Sequence, residues 1–188
     1  SKQDDLRVGV VGIGSRGRHL VSLLLGLQGV SIRAVGDILP TRVAWAQEAA
    51  AKAGHGKPAG YDRGPTDFER LCEREELDLV INATPWNWHV PICVAAMNAG
   101  KHAAVEVPAA VNEEGCWQLV ETAEKTGQHC VMLENCCYGR TEMMFLNMVR
   151  KGLLGTVVHA EAGYMHEYRR GWIDWRYEQT IGRDGNLY

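Results

Sequence analysis

Short apolar runs alternate over the first 135 residues with longer segments in which apolar side chains recur at helical spacing. The runs predict strands over residues 6–11, 30–35, 77–83, 102–105 and 128–133. The segments between them predict helices over residues 16–27, 40–53, 89–98 and 113–126, the last capped by Asn112 and ended by Gly127. Thr66 and Glu69 form a capping-box pattern that predicts a further short helix, and the glycine-rich residues 54–64 predict a loop. This alternation favours an α/β fold with a mostly parallel, doubly wound sheet.

The pattern changes after Asn135. Residues 141–151 predict a Met-rich helix, residues 156–164 alternate like a strand with one wetter face, and residues 168–177 are dense in aromatic and arginine side chains. We therefore predict a Rossmann-type domain over residues 1–135 and the beginning of an α+β antiparallel-sheet domain over residues 136–188. This second domain is expected to be incomplete, because one strand with an aromatic tail cannot close a core.

The composition excludes several classes of function. A net charge of −3 gives no sign of a nucleic-acid surface. No apolar run approaches the roughly 20 residues that span a bilayer, and the polar start is unlike a signal peptide. We expect a protein of the cytoplasm, or one exported in the folded state.

The six cysteines are predicted to be reduced core thiols and not metal ligands. They form no Cys-x-x-Cys pair, and several fall within apolar patterns. Cys136 and Cys137 are adjacent, which matches no zinc-ligand spacing. We therefore expect no metal.

The strand over residues 6–11 leads into Gly12-x-Gly14-x-x-Gly17 and then a helix, which is the context of a dinucleotide fingerprint. Gly12 would allow the turn, Gly14 a close approach of pyrophosphate, and Gly17 close packing of the helix on the strand. Asp37 ends the second strand, where a carboxylate can accept the ribose hydroxyls and repel a 2′-phosphate. NAD is thus favoured over NADP, and the alternative is a plain glycine turn with a surface aspartate.

Further candidate residues follow the other strands, at the edge where doubly wound sheets bind ligands. Trp86, Asn87, Trp88 and His89 follow residues 77–83 and could stack on a nicotinamide or an adenine. The alternative is that the tryptophans pack between domains. Glu106 follows residues 102–105 and Asn135 follows residues 128–133, so both are candidates for the same site.

These motifs resemble the Gfo/Idh/MocA family of NAD(P)-dependent sugar oxidoreductases over the whole chain. The resemblance implies a Rossmann domain paired with an antiparallel-sheet domain. Many members carry Glu-Lys-Pro after the fifth strand, where the lysine helps hydride transfer at a hydroxyl group. This chain has Glu106-Val107-Pro108. Valine cannot move a proton, which argues against an ordinary polyol dehydrogenase.

Within that family, the strings Ala-Thr-Pro-Trp-x-Trp-His, Glu-Val-Pro-Ala, Cys-Val-Met-Leu-Glu-Asn-Cys-Cys-Tyr-Gly and Gly-Asn-Leu-Tyr resemble glycoside hydrolase family 109, typified by NAD-dependent α-N-acetylgalactosaminidases. The resemblance implies NAD contacts at Ser15, Arg16, Asp37, Trp86, Asn87, Trp88, His89, Glu106, Val107 and Asn135. It implies substrate contacts at Tyr164, Arg176 and Tyr188, a catalytic role for Tyr188 as well, and a catalytic histidine shortly after Tyr188.

The implied activity is hydrolysis of a terminal N-acetylgalactosaminide by transient oxidation at C3, elimination, addition of water and re-reduction. The cofactor would supply the difficult step, and the protein would supply orientation and proton transfers. Two alternatives stay open: a net sugar dehydrogenase of the same fold, and a non-catalytic dinucleotide-binding fragment. The resemblance also leads us to expect a small-molecule sugar as partner, and a homo-oligomer formed through the second-domain sheet.

Overall fold

The computed structural model describes residues 5–163 and Met165. Six parallel strands form one sheet in the order β3-β2-β1-β4-β5-β6. Their bounds are Leu6–Val11 for β1, Val30–Gly36 for β2, Ala59–Tyr61 for β3, Leu79–Asn82 for β4, His102–Val105 for β5 and Cys130–Met132 for β6. The strand order reverses on either side of β1, as in dinucleotide-binding folds. The predicted doubly wound parallel sheet is confirmed.

Six α-helices accompany the strands in the described residues. They are α1 (Ser15–Leu25), α2 (Pro40–Lys52), α3 (Asp67–Arg74), α4 (His89–Asn98), α5 (Glu113–Thr126) and α6 (Arg140–Arg150), and a 3₁₀ turn at Trp86–Trp88 precedes α4. None of these helices is long and apolar enough to cross a membrane.

The core has two layers because neighbouring strand residues point to opposite faces of the sheet. Val80 packs in a cluster with residues of α3, α4 and α5, whereas its neighbour Ile81 packs in a second cluster with residues of α1 and α2. Both faces of the central strands are therefore covered by helices. A ligand can bind only at the edge of the sheet where the strands end.

An ion pair joins the starts of β1 and β4, at the edge opposite the glycine turn. The Arg7 backbone N–H and its Nη2 each lie 2.7 Å from an oxygen of the Asp78 carboxylate. These hydrogen bonds lower the pKa of Asp78 to about 2. The pair stabilises the register between β1 and β4.

The predicted loop over residues 54–64 is wrong in part, because it contains β3. This strand has three residues and pairs with β2, with Ala34 opposite Ala59 and Gly36 opposite Tyr61. A Cβ at Gly60 would lie 2.8 Å from Val43 Cγ1 and 2.9 Å from Gln47 Nε2, so the strand needs glycine where α2 crosses it. Three residues centred on glycine are too few to show strand periodicity.

The two predicted helix caps differ. The Asn112 side chain accepts a hydrogen bond of 2.8 Å from the Gly115 N–H, and Gly127 ends α5 in the left-handed conformation. Thr66 makes no side-chain cap bond, so the predicted capping box is not formed. The Asp67 carboxylate next to it accepts from the Arg63 N–H at 3.0 Å and pairs with Arg70.

Two further predictions are corrected. Residues 156–163 carry no strand, since strand geometry is stabilised by a paired neighbour and these residues have none in the described chain. The core interpretation of the cysteines holds for buried Cys72 and Cys93, but Cys116, Cys136 and Cys137 are exposed. Burial raises the pKa of Cys72 to about 12. Within the described residues no three or more acidic, histidine or cysteine side chains are grouped as a metal site would need.

Candidate functional site

The glycine turn between β1 and α1 is tightly packed on one side and open on the other. Gly12 has φ +87°, and a Cβ there would lie 2.7 Å from the backbone of Ala83 and Thr84. A Cβ at Gly17 would lie 1.8 Å from the Gly12 carbonyl oxygen, so only glycine lets α1 pack this closely. A Cβ at Gly14 would meet only Arg42 Nη1, 3.9 Å away, apart from its chain neighbours and the backbone of its own helix. A ligand can therefore approach the backbone at Gly14.

The first turn of α1 fits an anion. The N-cap residue is Gly14, which has no side chain with which to cap the helix. The first turn carries no acidic residue, and Ser15 and Arg16 are exposed. Uncapped N–H groups and the positive end of the helix dipole favour a phosphate group at this point. The chemistry of the turn thus fits the pyrophosphate of a dinucleotide.

Asp37 stands at the end of β2 with its carboxylate turned towards the glycine turn. Its Oδ2 accepts from the Ile13 N–H at 2.7 Å, and its Oδ1 accepts from the Leu39 N–H at 2.9 Å. The Arg42 Nη1 lies 3.5 Å from Oδ2, and the carboxylate is 4% exposed. The Asp37 side chain therefore stabilises the glycine turn. Its negative charge lies next to that turn and is partly balanced by Arg42.

Three predicted residues from distant parts of the sequence meet above the ends of β5 and β6. The Arg16 Nε donates to Glu106 Oε1 at 2.7 Å, and its Nη2 donates to Asn135 Oδ1 at 3.1 Å. The Glu106 side chain is 14% exposed and that of Arg16 is 41% exposed. Arg16 thus links the glycine turn to the two strands across the crevice where the strand order reverses.

The fully buried side chain of Asn82, the last residue of β4, holds the loop that follows this strand. Its Oδ1 accepts from the Thr84 N–H at 3.1 Å and from the Thr84 hydroxyl at 2.6 Å. Its Nδ2 donates to the carbonyls of Trp88 and His89 at 3.3 and 3.2 Å. Asn82 and Thr84 were not predicted from the sequence, although a polar residue that ends an apolar strand is a usable signal.

The four predicted residues of this loop lie in different surroundings. Trp88 packs edge-on against Phe68, with 5.9 Å between the ring centroids, and contacts the core. Trp86 is half-buried and Asn87 is exposed. The His89 ring has no exposed surface, so it offers no face for stacking. Trp88 thus packs within the Rossmann domain and not between domains, and its contact with a cofactor stays a prediction. Trp86 and Asn87 lie outside both core clusters.

The remaining candidates fall into two groups. Val107, after β5, is half-buried, and its aliphatic side chain carries no group that can exchange a proton. Tyr164, Arg176 and Tyr188, the predicted substrate and catalytic residues, lie outside the described residues. The described chain therefore brings together predicted cofactor residues at one edge of the sheet, and the predicted substrate residues lie outside it.

Comparison with known families agrees with this geometry. The family described as "Oxidoreductase family, NAD-binding Rossmann fold" (Gfo/Idh/MocA) matches residues 6–134. The chain belongs to the Gfo/Idh/MocA family. A second family description, "Glycosyl hydrolase 109, C-terminal domain", matches residues 138–178.

Curated relatives agree with both matches. The chain is 46% identical to a glycosyl hydrolase family 109 protein of Solibacter usitatus, over 97% of this chain and 44% of that protein. It is 42% identical to the alpha-N-acetylgalactosaminidase of Shewanella oneidensis, over 100% of this chain and 42% of that protein. The chain thus spans less than half the length of these relatives.

Solved structures show the same fold at low sequence identity. Apo scyllo-inositol dehydrogenase from Lactobacillus casei is 19% identical with a TM-score of 0.71, over 82% of this chain and 44% of that chain. A probable dehydrogenase from Thermotoga maritima is 24% identical with a TM-score of 0.68, over 80% and 42% respectively. The predicted family and fold are therefore confirmed.

Proposed function

We propose that this chain is the cofactor-binding part of an NAD-dependent glycosidase that acts on terminal α-N-acetylgalactosaminides. The observation that carries the proposal is the combination of two family matches in one chain, an NAD-binding domain over residues 6–134 and a glycosyl hydrolase 109 domain over residues 138–178. The likeness to the Shewanella oneidensis enzyme supports the substrate class. In this proposal residues 1–135 hold the cofactor and residues 136–188 begin the substrate-binding domain.

Different residues of the chain would bind different parts of the cofactor. The uncapped first turn of α1, with Ser15 and Arg16, would bind the pyrophosphate, and Gly14 leaves room for it. Asp37 would accept the hydroxyls of the adenosine ribose. Glu106 and Asn135, which stand beyond the reversal of strand order, would face the other nucleotide half together with Trp86, Asn87 and Val107. NAD bound there would supply a hydride acceptor and donor for the sugar.

The charges of the site support the pairing of Arg16 with Glu106. The guanidinium neutralises a carboxylate that is 14% exposed, and its Nη2 also reaches Asn135. A dinucleotide phosphate would compete for the same guanidinium, since arginine binds phosphate and carboxylate with the same donor geometry. Release of Glu106 from Arg16 would leave its oxygens free to accept hydroxyl groups of a ribose.

Val107 does not separate a glycosidase from a net dehydrogenase. Both reactions oxidise a hydroxyl group and need a base close to it, and valine offers none at this position. A glycosidase that returns its hydride in each cycle produces no net NADH. The two reactions therefore differ in a quantity that is simple to follow.

The test joins these 188 residues to the C-terminal remainder of the Shewanella oneidensis enzyme, which is 42% identical over the shared stretch. The purified chimera is incubated with NAD and a chromogenic α-N-acetylgalactosaminide, and both chromophore and NADH are followed. We expect chromophore release without NADH accumulation. Stoichiometric NADH would favour the dehydrogenase, and NAD binding without either product would favour a non-catalytic module.

A further inference from the structure

The loop between β4 and α4 is held at both ends by one buried side chain, that of Asn82. Its Oδ1 accepts from the Thr84 N–H at 3.1 Å and from the Thr84 hydroxyl at 2.6 Å, two residues further along the chain. Its Nδ2 donates to the carbonyls of Trp88 and His89 at 3.3 and 3.2 Å, six and seven residues further along. The amide therefore fastens the first and the last residues of the loop to the end of β4.

The partners of this side chain demand an amide. The two bonds from Thr84 need an acceptor, whereas the two carbonyls need a donor, and asparagine carries both on one short side chain. The same partners also fix which atom of the amide is the oxygen and which is the nitrogen. Asn82→Asp would keep the shape and the acceptor, but it would put a carboxylate oxygen where Nδ2 now faces two carbonyl oxygens.

The start of the loop has a further attachment that does not involve the Asn82 side chain. The Ala83 N–H donates to the Val11 carbonyl of β1 at 2.8 Å. The beginning of the loop should therefore stay on β1 when the bonds of Asn82 are weakened. The part expected to shift is the middle of the loop, which carries Trp86 and Asn87, two of the predicted cofactor contacts.

We propose that Asn82 is a positioning residue that holds the loop after β4 in the arrangement that binds the nicotinamide half of NAD. The inference rests on the proposed NAD site. Asn82 acts on the cofactor only through the loop, because its side chain has no exposed surface with which to touch a ligand. Weaker bonds let the loop populate other arrangements, and the apparent affinity falls with the fraction of chains that keep the binding arrangement.

The topology indicates which half of the cofactor depends on this loop. The two halves of a dinucleotide bind on opposite sides of the reversal in strand order. Asp37, at the end of β2, lies on the side assigned to the adenosine ribose, whereas β4 lies on the other side of β1. Changes at Asn82 should therefore weaken binding of the nicotinamide half and hardly affect the adenosine half.

The hydrogen bonds of Asn82 are tested first, by NMR on the unmutated chain labelled with ¹⁵N. Its side-chain N–H₂ group is assigned through contacts with protons of Trp88 and His89. We expect this group to exchange with water at least about tenfold more slowly than that of Asn87, which is exposed. Exchange as fast as that of Asn87 overturns the proposal. This measurement needs neither cofactor nor mutation, so it decides on the bonds whether or not NAD binds.

The positioning role is tested by titrating NAD⁺ and ADP-ribose, which lacks nicotinamide, into the unmutated chain and two variants. Thr84→Val removes the bond of 2.6 Å to Asn82 and should weaken NAD⁺ binding about fivefold. Asn82→Asp should weaken it about tenfold or more, because it opposes two carbonyls. Binding of ADP-ribose should change less than about twofold. Equal changes for both ligands, or none for NAD⁺, overturn the positioning role.

Two controls accompany these variants. Thr84→Ser keeps the hydroxyl group and should restore the affinity for NAD⁺. Thr122→Val removes an equally short hydroxyl bond of 2.6 Å from a buried threonine, but that bond to the Gln118 carbonyl lies within α5. It should leave both affinities unchanged, and a loss of NAD⁺ binding as large as that of Thr84→Val overturns the proposal. If Asn82→Asp does not fold, Thr84→Val decides. If the unmutated chain binds neither ligand, the NAD site is wrong and the positioning role falls with it.

Discussion

Asp37 combines two roles in one carboxylate. One oxygen accepts the Ile13 N–H of the glycine turn and the other accepts the Leu39 N–H ahead of α2. The same group is the residue expected to choose between NAD and NADP. Cofactor choice and turn geometry are thus coupled at a single side chain, and a useful variant must separate them.

Asp37→Asn removes the charge and keeps one of the two acceptor oxygens, so it should disturb the turn less than Asp37→Ala does. Arg42, 3.5 Å away, then loses its partner and can pair with a 2′-phosphate. We expect the preference for NAD over NADP to fall by about tenfold or more, since close charge pairs are worth more than about 1.4 kcal/mol when partly desolvated. Calorimetric titration with both cofactors measures this preference.

Two controls accompany this variant. Arg42→Ala added to Asp37→Asn should abolish the gain in NADP affinity. Asp37→Ala, which also strips the acceptors of two N–H groups, should lower the free energy of unfolding by about 1–3 kcal/mol. Tighter binding of NADP than of NAD by the unmutated chain would contradict the assigned role of Asp37.

Trp86 and Trp88 are two residues apart but should respond differently to the cofactor. Both are half-buried, but Trp88 packs on Phe68 and the core, whereas Trp86 belongs to neither core cluster. Trp86→Phe should remove most of the fluorescence quench that NAD produces in this loop. Trp88→Phe should leave most of that quench and lower thermal stability, because it disturbs an aromatic pair worth about 0.5–1.5 kcal/mol. The reverse result would place Trp88 at the ligand.

At the scale of the element, the caps of α3 and α5 form a natural comparison. Asn112→Ala removes a side-chain bond of 2.8 Å to the Gly115 N–H and should cost about 1 kcal/mol of unfolding free energy. Thr66→Ala removes a side chain that makes no cap bond and should cost little. Urea denaturation of the two variants beside the unmutated chain measures both. A cost for Thr66→Ala as large as that for Asn112→Ala would show that the capping box forms in solution.

These two caps show where sequence reasoning succeeds and where it stops. Cap chemistry at Asn112 is local, so residue type and spacing suffice to predict it. At Thr66 the same pattern competes with the Asp67 carboxylate, which accepts the Arg63 N–H and pairs with Arg70. The outcome depends on the backbone N–H of Arg63 and the side chain of Arg70, which lie outside the four residues of the pattern.

The strands show the same contrast between local and non-local determinants of structure. The strands β1 and β2 are predicted well, because each has six or seven residues, most of them apolar and many of them buried. β3 has three residues around Gly60 and exists because β2 offers a partner edge and α2 covers it. The predicted strand over residues 156–164 has no such partner in the described chain. Pairing, which is not local, decides both cases.

The residues of the candidate site show the same contrast between what is local in the sequence and what is not. The fingerprint glycines, Asp37 and the residues after β4, β5 and β6 were predictable, because parallel strands bring their carboxyl ends to one edge. The contact of Arg16 with Glu106 and Asn135 was not, since it joins residues separated by 90 and 119 positions. The burial of the His89 ring also depends on the loop after β5, which lies 19 residues further along the chain.

At the scale of the whole molecule, the described residues contain the proposed cofactor side and not the proposed substrate side. The contacts described above supply groups for a dinucleotide, and every residue predicted to hold the sugar lies between positions 164 and 188. The chain spans 42% of the Shewanella oneidensis enzyme, so more than half of that enzyme has no counterpart in these 188 residues. Cofactor binding and turnover should therefore be separable in this chain.

We expect the 188-residue chain to bind NAD and to release no chromophore from an α-N-acetylgalactosaminide at a useful rate. The reaction needs a sugar held against the cofactor and a proton acceptor beside it, and loss of one positioned acid or base costs about 10²–10⁴-fold in rate. The rate should thus lie at least about 10²-fold below that of the chimera described above. The Shewanella oneidensis enzyme, trimmed to the stretch that matches this chain, is the control and should lose activity to the same extent. Release by the 188-residue chain at the rate of the chimera would mean that the catalytic groups lie within these residues, and the search for them would then return to Arg16, Glu106 and Asn135.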